Sequence, residues 1–295
     1  LSYLIILPKK IIDFFLMFNV IQAVFVIVFA IYMAVSFNIS NYLPVRFFFQ
    51  EQGWGDIYTY NGWFYRIQVK GNALLPFAFF VTFLYRIRYV RLIRVILFLG
   101  IVYAGNFAYL ISLIVFVLFY ILLKSKNATT FFNSLFLLVC FALVISFPVY
   151  QYYVKSVLEM KSAGSLGTRW DQASVLYNDL NSNLFSLIFG KGLGNTVDII
   201  TSFRDYRGDF YFELQSVYVL NQIGLLGIVL FLLYNLLISI ASYNNGIIFL
   251  MYICYIIYSV TNPYIFDSNH IAVIFILNCI NNIETSKYRS NCNIV

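Results

Sequence analysis

Residues 204–231, RDYRGDFYFELQSVYVLNQIGLLGIVLF, decide how the chain is read. The first ten positions hold Arg204, Asp205, Arg207, Asp209 and Glu213; then the charge stops and an apolar run begins. A charged rim in front of such a run predicts a helix that enters a membrane, with Glu213 where water meets hydrocarbon. Gly224 and Gly227 inside the run would let another backbone pack closely against it.

Composition agrees with this reading. Of 295 residues, 62% are hydrophobic, 20% aromatic and only 11% charged, which excludes an ordinary soluble domain. The net charge of +7 is divided among short loops between apolar runs, the pattern of topology signals rather than of a nucleic-acid surface. No nucleic-acid partner is expected. Cys140, Cys254 and Cys279 lie in apolar runs and Cys292 in the tail, with no paired spacing that points to zinc or a disulfide framework. Neither a metal site nor a cofactor is expected.

Outward from the opening stretch, the apolar runs predict spans at 11–37, 73–85, 128–149, 214–241, 247–261 and 270–282. The run 95–123 lies between the basic cluster Arg86, Arg88, Arg91 and Arg94 and the pair Lys124 and Lys126. A single helix would put these clusters on opposite sides, against the positive-inside rule, so a break at Gly105-Asn106 is expected to divide it into a rising and a falling helix. The fold class is all-α: a polytopic integral membrane protein of about eight transmembrane helices with one large extracytoplasmic loop, read as a single helical membrane domain, 1–295. With Lys9-Lys10 cytoplasmic, the outer segments are 38–72, 150–213 and 262–269, and the tail with Lys287 and Arg289 is inside. The Trp- and Tyr-rich 38–72 loop is expected to be interfacial and partly helical. Residues 1–10 read as the end of an earlier helix or an alternative start.

The loop 150–213 is longer than an inert connection and is where chemistry is expected. It carries Arg169, Lys191, Arg204 and Arg207. Guanidinium forks match phosphate oxygens, and at a membrane surface the phosphate is that of a lipid carrier; alternatively these arginines pair with Asp171, Asp205 and Asp209 and hold the loop down. Gly190-Lys191-Gly192-Leu193-Gly194 lacks the Lys-Ser/Thr of a nucleotide loop, leaving an anion-facing turn or a purely structural one. Glu213 is the candidate general base, since a carboxylate at a low-dielectric edge has its pKa raised; the alternative is a helix-start Glu favoured by the dipole. His270, after Asp267 at a helix start, reads as a packing or cap residue, and Arg66 brings one more cation to the outer face.

These residues also carry a family resemblance. Thr168-Arg169-Trp170, the Gly190 to Gly194 run, Glu213 eleven positions before Gly224, the order Arg66, Gly71-Asn72, Pro76, and the Gly105-Asn106 break resemble the bacterial O-antigen polymerase (Wzy-type) and O-antigen ligase superfamily, over about residues 60–240. The resemblance implies a metal-independent, cofactor-free glycosyltransferase of polysaccharide biosynthesis at the outer face of the bacterial inner membrane. A polymerase of this kind joins undecaprenyl-diphosphate-linked repeat units into O-antigen, the polysaccharide of lipopolysaccharide, or into capsular or exopolysaccharide. Arg169, Arg204 and Arg207, with Arg66, would receive the departing diphosphate, and Glu213 would take the acceptor proton. Expected partners are the lipid-linked oligosaccharide, membrane lipid and a chain-length regulator.

Ligases that attach glycan to a lipid A core usually have His-Asn where this chain has Glu213-Leu214, which favours polymerase over ligase. The family usually has more spans than eight, so the chain is expected to be short at its N-terminus. The competing classes are a lipid-linked oligosaccharide transporter (flippase) and a scaffolding membrane protein. A transporter would carry ionisable residues within several spans, and here the spans are almost free of charge.

Overall fold

Leu7–Ser36 is apolar on every face, yet only one stripe of it is buried. Ile12, Leu16, Asn19, Ala23, Val26, Ala30 and Met33 recur at alternating steps of four and three and face the protein, while Phe14, Phe18, Ile21, Phe25, Val28 and Val35 are exposed. A packed seam with an apolar outer face fits a helix surrounded by hydrocarbon. The structure is a computed structural model and describes residues 2–59, 62–85, 87–124, 167–200, 205–208, 212, 214–242, 246–260 and 263–292. It is mostly helical.

Among the described residues three helices are long and apolar enough to cross a membrane: Leu7–Ser36, Phe107–Lys124 and Gln215–Leu237. Asn72–Leu84 and Gly246–Ser259 are shorter apolar helices, and the span expected at 128–149 lies outside the described residues. In chain order the first elements are α1 (Ser2–Ser36), α2 (Leu43–Glu51), β1 (Gly55–Thr59), β2 (Tyr65–Val69), α3 (Leu75–Leu84), α4 (Val90–Ala104) and α5 (Phe107–Lys124). They are followed by α6 (Gly167–Leu180), α7 (Leu184–Phe189), α8 (Gln215–Ser242), α9 (Gly246–Val260) and α10 (Ser268–Cys292). The chain forms two compact units, one of Leu1–Leu123, Ser242–Ser259 and Tyr264–Val295, the other of Lys124–Ala241 and Val260–Pro263.

In the first unit α1 packs against α3, α4 and α10. Ala23 meets α4 at Gly100, where an added Cβ would come within 2.6 Å of the Ala23 Cβ, so the two helices touch backbone to backbone. The expected break is present: α4 ends on Gly105 with φ +68°, and the Asn106 side chain accepts Ala108 N–H at 3.0 Å as α5 begins. At the other end of α4, the Arg94 guanidinium donates to Thr82 O at 2.7 Å and Thr82 Oγ1 at 3.0 Å, capping the last turn of α3.

Two details depart from the expectations. First, α3 has ten residues, about 15 Å of helix, roughly half the hydrocarbon thickness. Pro76 sits in its first turn, where a proline starts a helix well, and Tyr85 leaves it in extended conformation. Second, the loop 38–72 contains α2, as a partly helical loop should, but also an antiparallel hairpin, so the described residues are not purely α-helical. β1 and β2 pair Asp56 with Gln68 and Tyr58 with Arg66. Ile57, Tyr65 and Ile67 pack onto Val26, Ala30 and Met33 of α1. The buried face of α1, together with the ion pair of Arg46 and Asp56 at 2.8 Å, holds the hairpin in place.

A further part of this unit's core is a set of tyrosines on α5, α9 and the turn before α10. Tyr258 donates to Ala73 O at 2.7 Å, Tyr255 to Tyr264 O at 2.6 Å, and Tyr109 to the Tyr264 hydroxyl at 3.0 Å. Each ring is buried while its hydroxyl is satisfied. His270 is buried in the same cluster, 3.1 Å from the Tyr252 hydroxyl and stacked on Tyr252 and Tyr255. That is a packing role, as its position suggested.

Candidate functional site

The second unit carries the charged segment in front of α8. Its core is Leu176 of α6 with Val197, Ile199, Tyr206, Phe212 and Tyr218. Tyr206 stacks on Phe212 at 5.5 Å, Phe212 meets Tyr218 at 4.4 Å, and Tyr206 N–H donates to Ile199 O at 2.9 Å. These rings bring the start of α8 onto the face of α6 that follows Arg169. Gln172 lies three positions after Arg169, one helical turn away on the same side. It is completely buried, and its Oε1 accepts Leu214 N–H at 3.2 Å. On the other side of Glu213, Phe212 N–H donates to Gln215 Oε1 at 3.2 Å. Both chain neighbours of Glu213 are therefore held by glutamine side chains. Glu213 itself, like Arg204, lies outside the described residues.

Arg169 is partly buried on α6, next to an exposed Trp170. Arg207 is exposed and engaged with Asp205, its Nη2 2.6 Å from Oδ2 and its Nε 3.0 Å from both carboxylate oxygens. The guanidinium holds the Asp205 carboxyl down to about 2. Here the pairing alternative describes the observed contact, and an arriving phosphate would compete with Asp205 for the fork. Arg66 belongs to the first unit. It is 7% exposed on β2, 5.6 Å from the Tyr58 ring and 5.4 Å from the Phe107 ring, with its stem against Gly105.

The glycine run resolves in favour of a structural turn. Lys191 N–H donates to Asn221 O at 2.9 Å and Gly192 N–H to Gln222 O at 3.0 Å, so these two donors face helix carbonyls rather than an anion. Those carbonyls are free to accept because α8 is broken: Gly224 has φ +67° and ψ −178°, which interrupts the helical ladder just after them. Gly190 and Gly224 lie back to back, and a Cβ on Gly224 would overlap Ile188 O and Gly190 N.

Beneath the turn sits a polar cluster. Lys191 Nζ is 2.7 Å from Ser182 Oγ and 3.5 Å from Asp179 Oδ1; Asn221 donates to Asp179 Oδ2 at 2.9 Å; and Asn195 donates to Asn221 Oδ1 at 3.3 Å. Gln172, Asp179 and Asn221 were not singled out by sequence reasoning. The available signals were the one-turn spacing of Gln172 from Arg169 and an asparagine inside an apolar run. Among the described residues no group of three His, Cys, Asp or Glu side chains could hold a metal ion.

The second unit thus holds a partly buried arginine on α6, an exposed and paired arginine beside Tyr206, and the backbone on either side of Glu213, with Leu214 tied to α6 through Gln172. No protein-family model, curated protein or solved structure matches the chain.

Proposed function

We propose that the chain is a polysaccharide polymerase of the bacterial inner membrane, crossing it about eight times, which joins undecaprenyl-diphosphate-linked oligosaccharide units on the outer face. The observation that carries this reading is the bond from Leu214 N–H to Gln172 Oε1 at 3.2 Å. It ties the backbone beside the proposed base to the helix that bears Arg169, the proposed diphosphate ligand.

In the proposed reaction a hydroxyl oxygen of the incoming unit attacks the anomeric carbon of the growing glycan. The bond from that carbon to the diphosphate oxygen breaks, and the diphosphate leaves with the bonding electrons and its lipid. Glu213 takes the hydroxyl proton as the new glycosidic bond forms. Arg169 and Arg204, with Arg207 once it exchanges Asp205 for phosphate, stabilise the negative charge on the leaving diphosphate. Arg66 is a further candidate for the same role. No metal is required in this scheme, because the guanidinium groups supply the positive charge.

The test is the glycan profile of a strain that lacks the gene, with and without the wild-type chain restored. Restoration of a ladder of polymer lengths from single lipid-linked repeats supports the polymerase. Polymer that forms either way but reaches lipid A core only with the chain supports a ligase. A change only in the side of the membrane on which the lipid-linked unit accumulates supports a transporter.

A further inference from the structure

We propose that the first unit carries a carbohydrate-binding groove, separate from the residues assigned to transfer chemistry, that takes an acidic sugar ring. The groove lies between α1, the end of α2 and the β-hairpin and has a volume of about 430 Å³, within the usual range of about 300–1,000 Å³ for small-molecule sites. Its walls include Gln22 and Phe25 of α1, Phe49 and Gln52 at the end of α2, and Trp54 and Lys70 flanking the hairpin.

The wall chemistry selects the ligand. Trp54 is 51% exposed, and it is held by edge contacts, standing at 90° to the rings of Phe48 at 5.5 Å and Phe49 at 5.4 Å. A fixed aromatic surface beside amides suits a sugar, whose C–H face packs on a ring while its hydroxyls need both donors and acceptors. Gln22 donates through Nε2 to Asn72 Oδ1 at 3.0 Å, which fixes the amide and leaves its oxygen as an acceptor. Gln52 brings a second amide, with no hydrogen bond among the described residues. Lys70 is exposed and forms no ion pair among the described residues; its Nζ lies 3.8 Å from where a Cβ on Gly53 would stand. An exposed ammonium that forms no ion pair among the described residues suits a carboxylate on the ligand.

A bare phosphate fits less well. The backbone N–H groups of Gly53, Trp54 and Lys70 are already donated to Gln50 O, Phe49 O and Trp54 O, so they form no anion cradle around the ammonium.

The test is saturation-transfer NMR with the full chain in phosphatidylcholine nanodiscs, titrated with methyl β-glucuronide, methyl β-glucoside and methyl phosphate. The proposal expects the glucuronide to bind about tenfold more tightly than the glucoside, the worth of one charge-assisted contact, and methyl phosphate to bind more weakly than either. Lys70→Met should erase the difference between the two sugars while leaving glucoside binding in place, and Trp54→Ala should abolish both. Equal binding of the two sugars with no effect of Lys70→Met overturns the proposal, as does no sugar binding at all. Methyl phosphate binding as tightly as the glucuronide overturns it in favour of an anionic lipid site. The readout is binding without polymer formation, so its failure and that of the polymerase reading are distinguishable.

Discussion

Gln172 and Leu214 are joined by a bond of 3.2 Å from backbone N–H to side-chain Oε1 that connects α6 to the start of α8 across 42 residues of sequence. Gln172→Ala and Gln172→Met both remove the acceptor, leaving a partly buried N–H without it at a cost of about 1 kcal/mol. A loss of this size leaves the protein in the membrane but loosens the backbone beside Glu213. The expected result is a shorter polymer ladder at unchanged membrane level, measured by glycan electrophoresis alongside immunoblotting.

Gly224→Ala is expected to be far more damaging. The residue has a left-handed φ of +67°, and its Cβ would overlap the backbone of Ile188 and Gly190. Left-handed strain together with the overlap costs on the order of 2–3 kcal/mol or more, so the variant should show reduced membrane level and no ladder. Gly167→Ala is the control. It is the first residue of α6, with nothing among the described residues within 4 Å of an added Cβ, and alanine fits a helix at least as well as glycine does. Wild-type ladders are expected from it.

Arg66 lies between Tyr58 and Phe107 with its stem against Gly105, an arrangement that uses a flat guanidinium. Arg66→Lys keeps the charge and loses the plane. We expect it to shorten ladders nearly as much as Arg66→Ala, because a flexible ammonium cannot span both rings. Full ladders from the lysine variant would show that charge alone is needed there.

The pair formed by Asp205 and Arg207 gives a pH prediction. The folded-state pKa of Asp205 is depressed from the ordinary 3.8 to about 2, so its pairing is fully present above the unfolded value and is lost as pH falls through about 2. Between pH 5 and 8 this carboxylate does not titrate. The pH profile of polymer formation by purified protein should therefore keep its shape in Asp205→Asn, and its height should rise because Arg207 is released for phosphate.

Much of the chain was legible where local chemistry decides structure. Gly105-Asn106 could be read as a break because the basic clusters on either side of the run 95–123 argue against a single span, and the structure makes the break with a left-handed glycine and an asparagine cap. The stripe from Ile12 to Met33 could not be seen in the sequence, since the residues around it are equally apolar and only packing separates the protein-facing from the outward side. The hairpin was missed although Ile57, Tyr58, Thr59, Tyr65, Ile67 and Val69 are good strand formers, because each strand is only five residues long and the pair is held in place by packing on α1, which local sequence does not show. The site divides the same way. Arg169, Arg207 and Arg66 were recognisable by residue type, but the engagement of Arg207 with Asp205, the burial of Arg66 and the use of Lys191 and Gly192 N–H by α8 depend on where the chain folds back.

The most direct test of the central claim is the glycan ladder made by Glu213→Gln, expressed in place of the wild-type chain and matched to it in membrane level. Glutamine keeps the shape of the side chain and one acceptor oxygen but cannot take up the acceptor's proton at neutral pH. The account predicts single lipid-linked repeats and no ladder; a full ladder would contradict it.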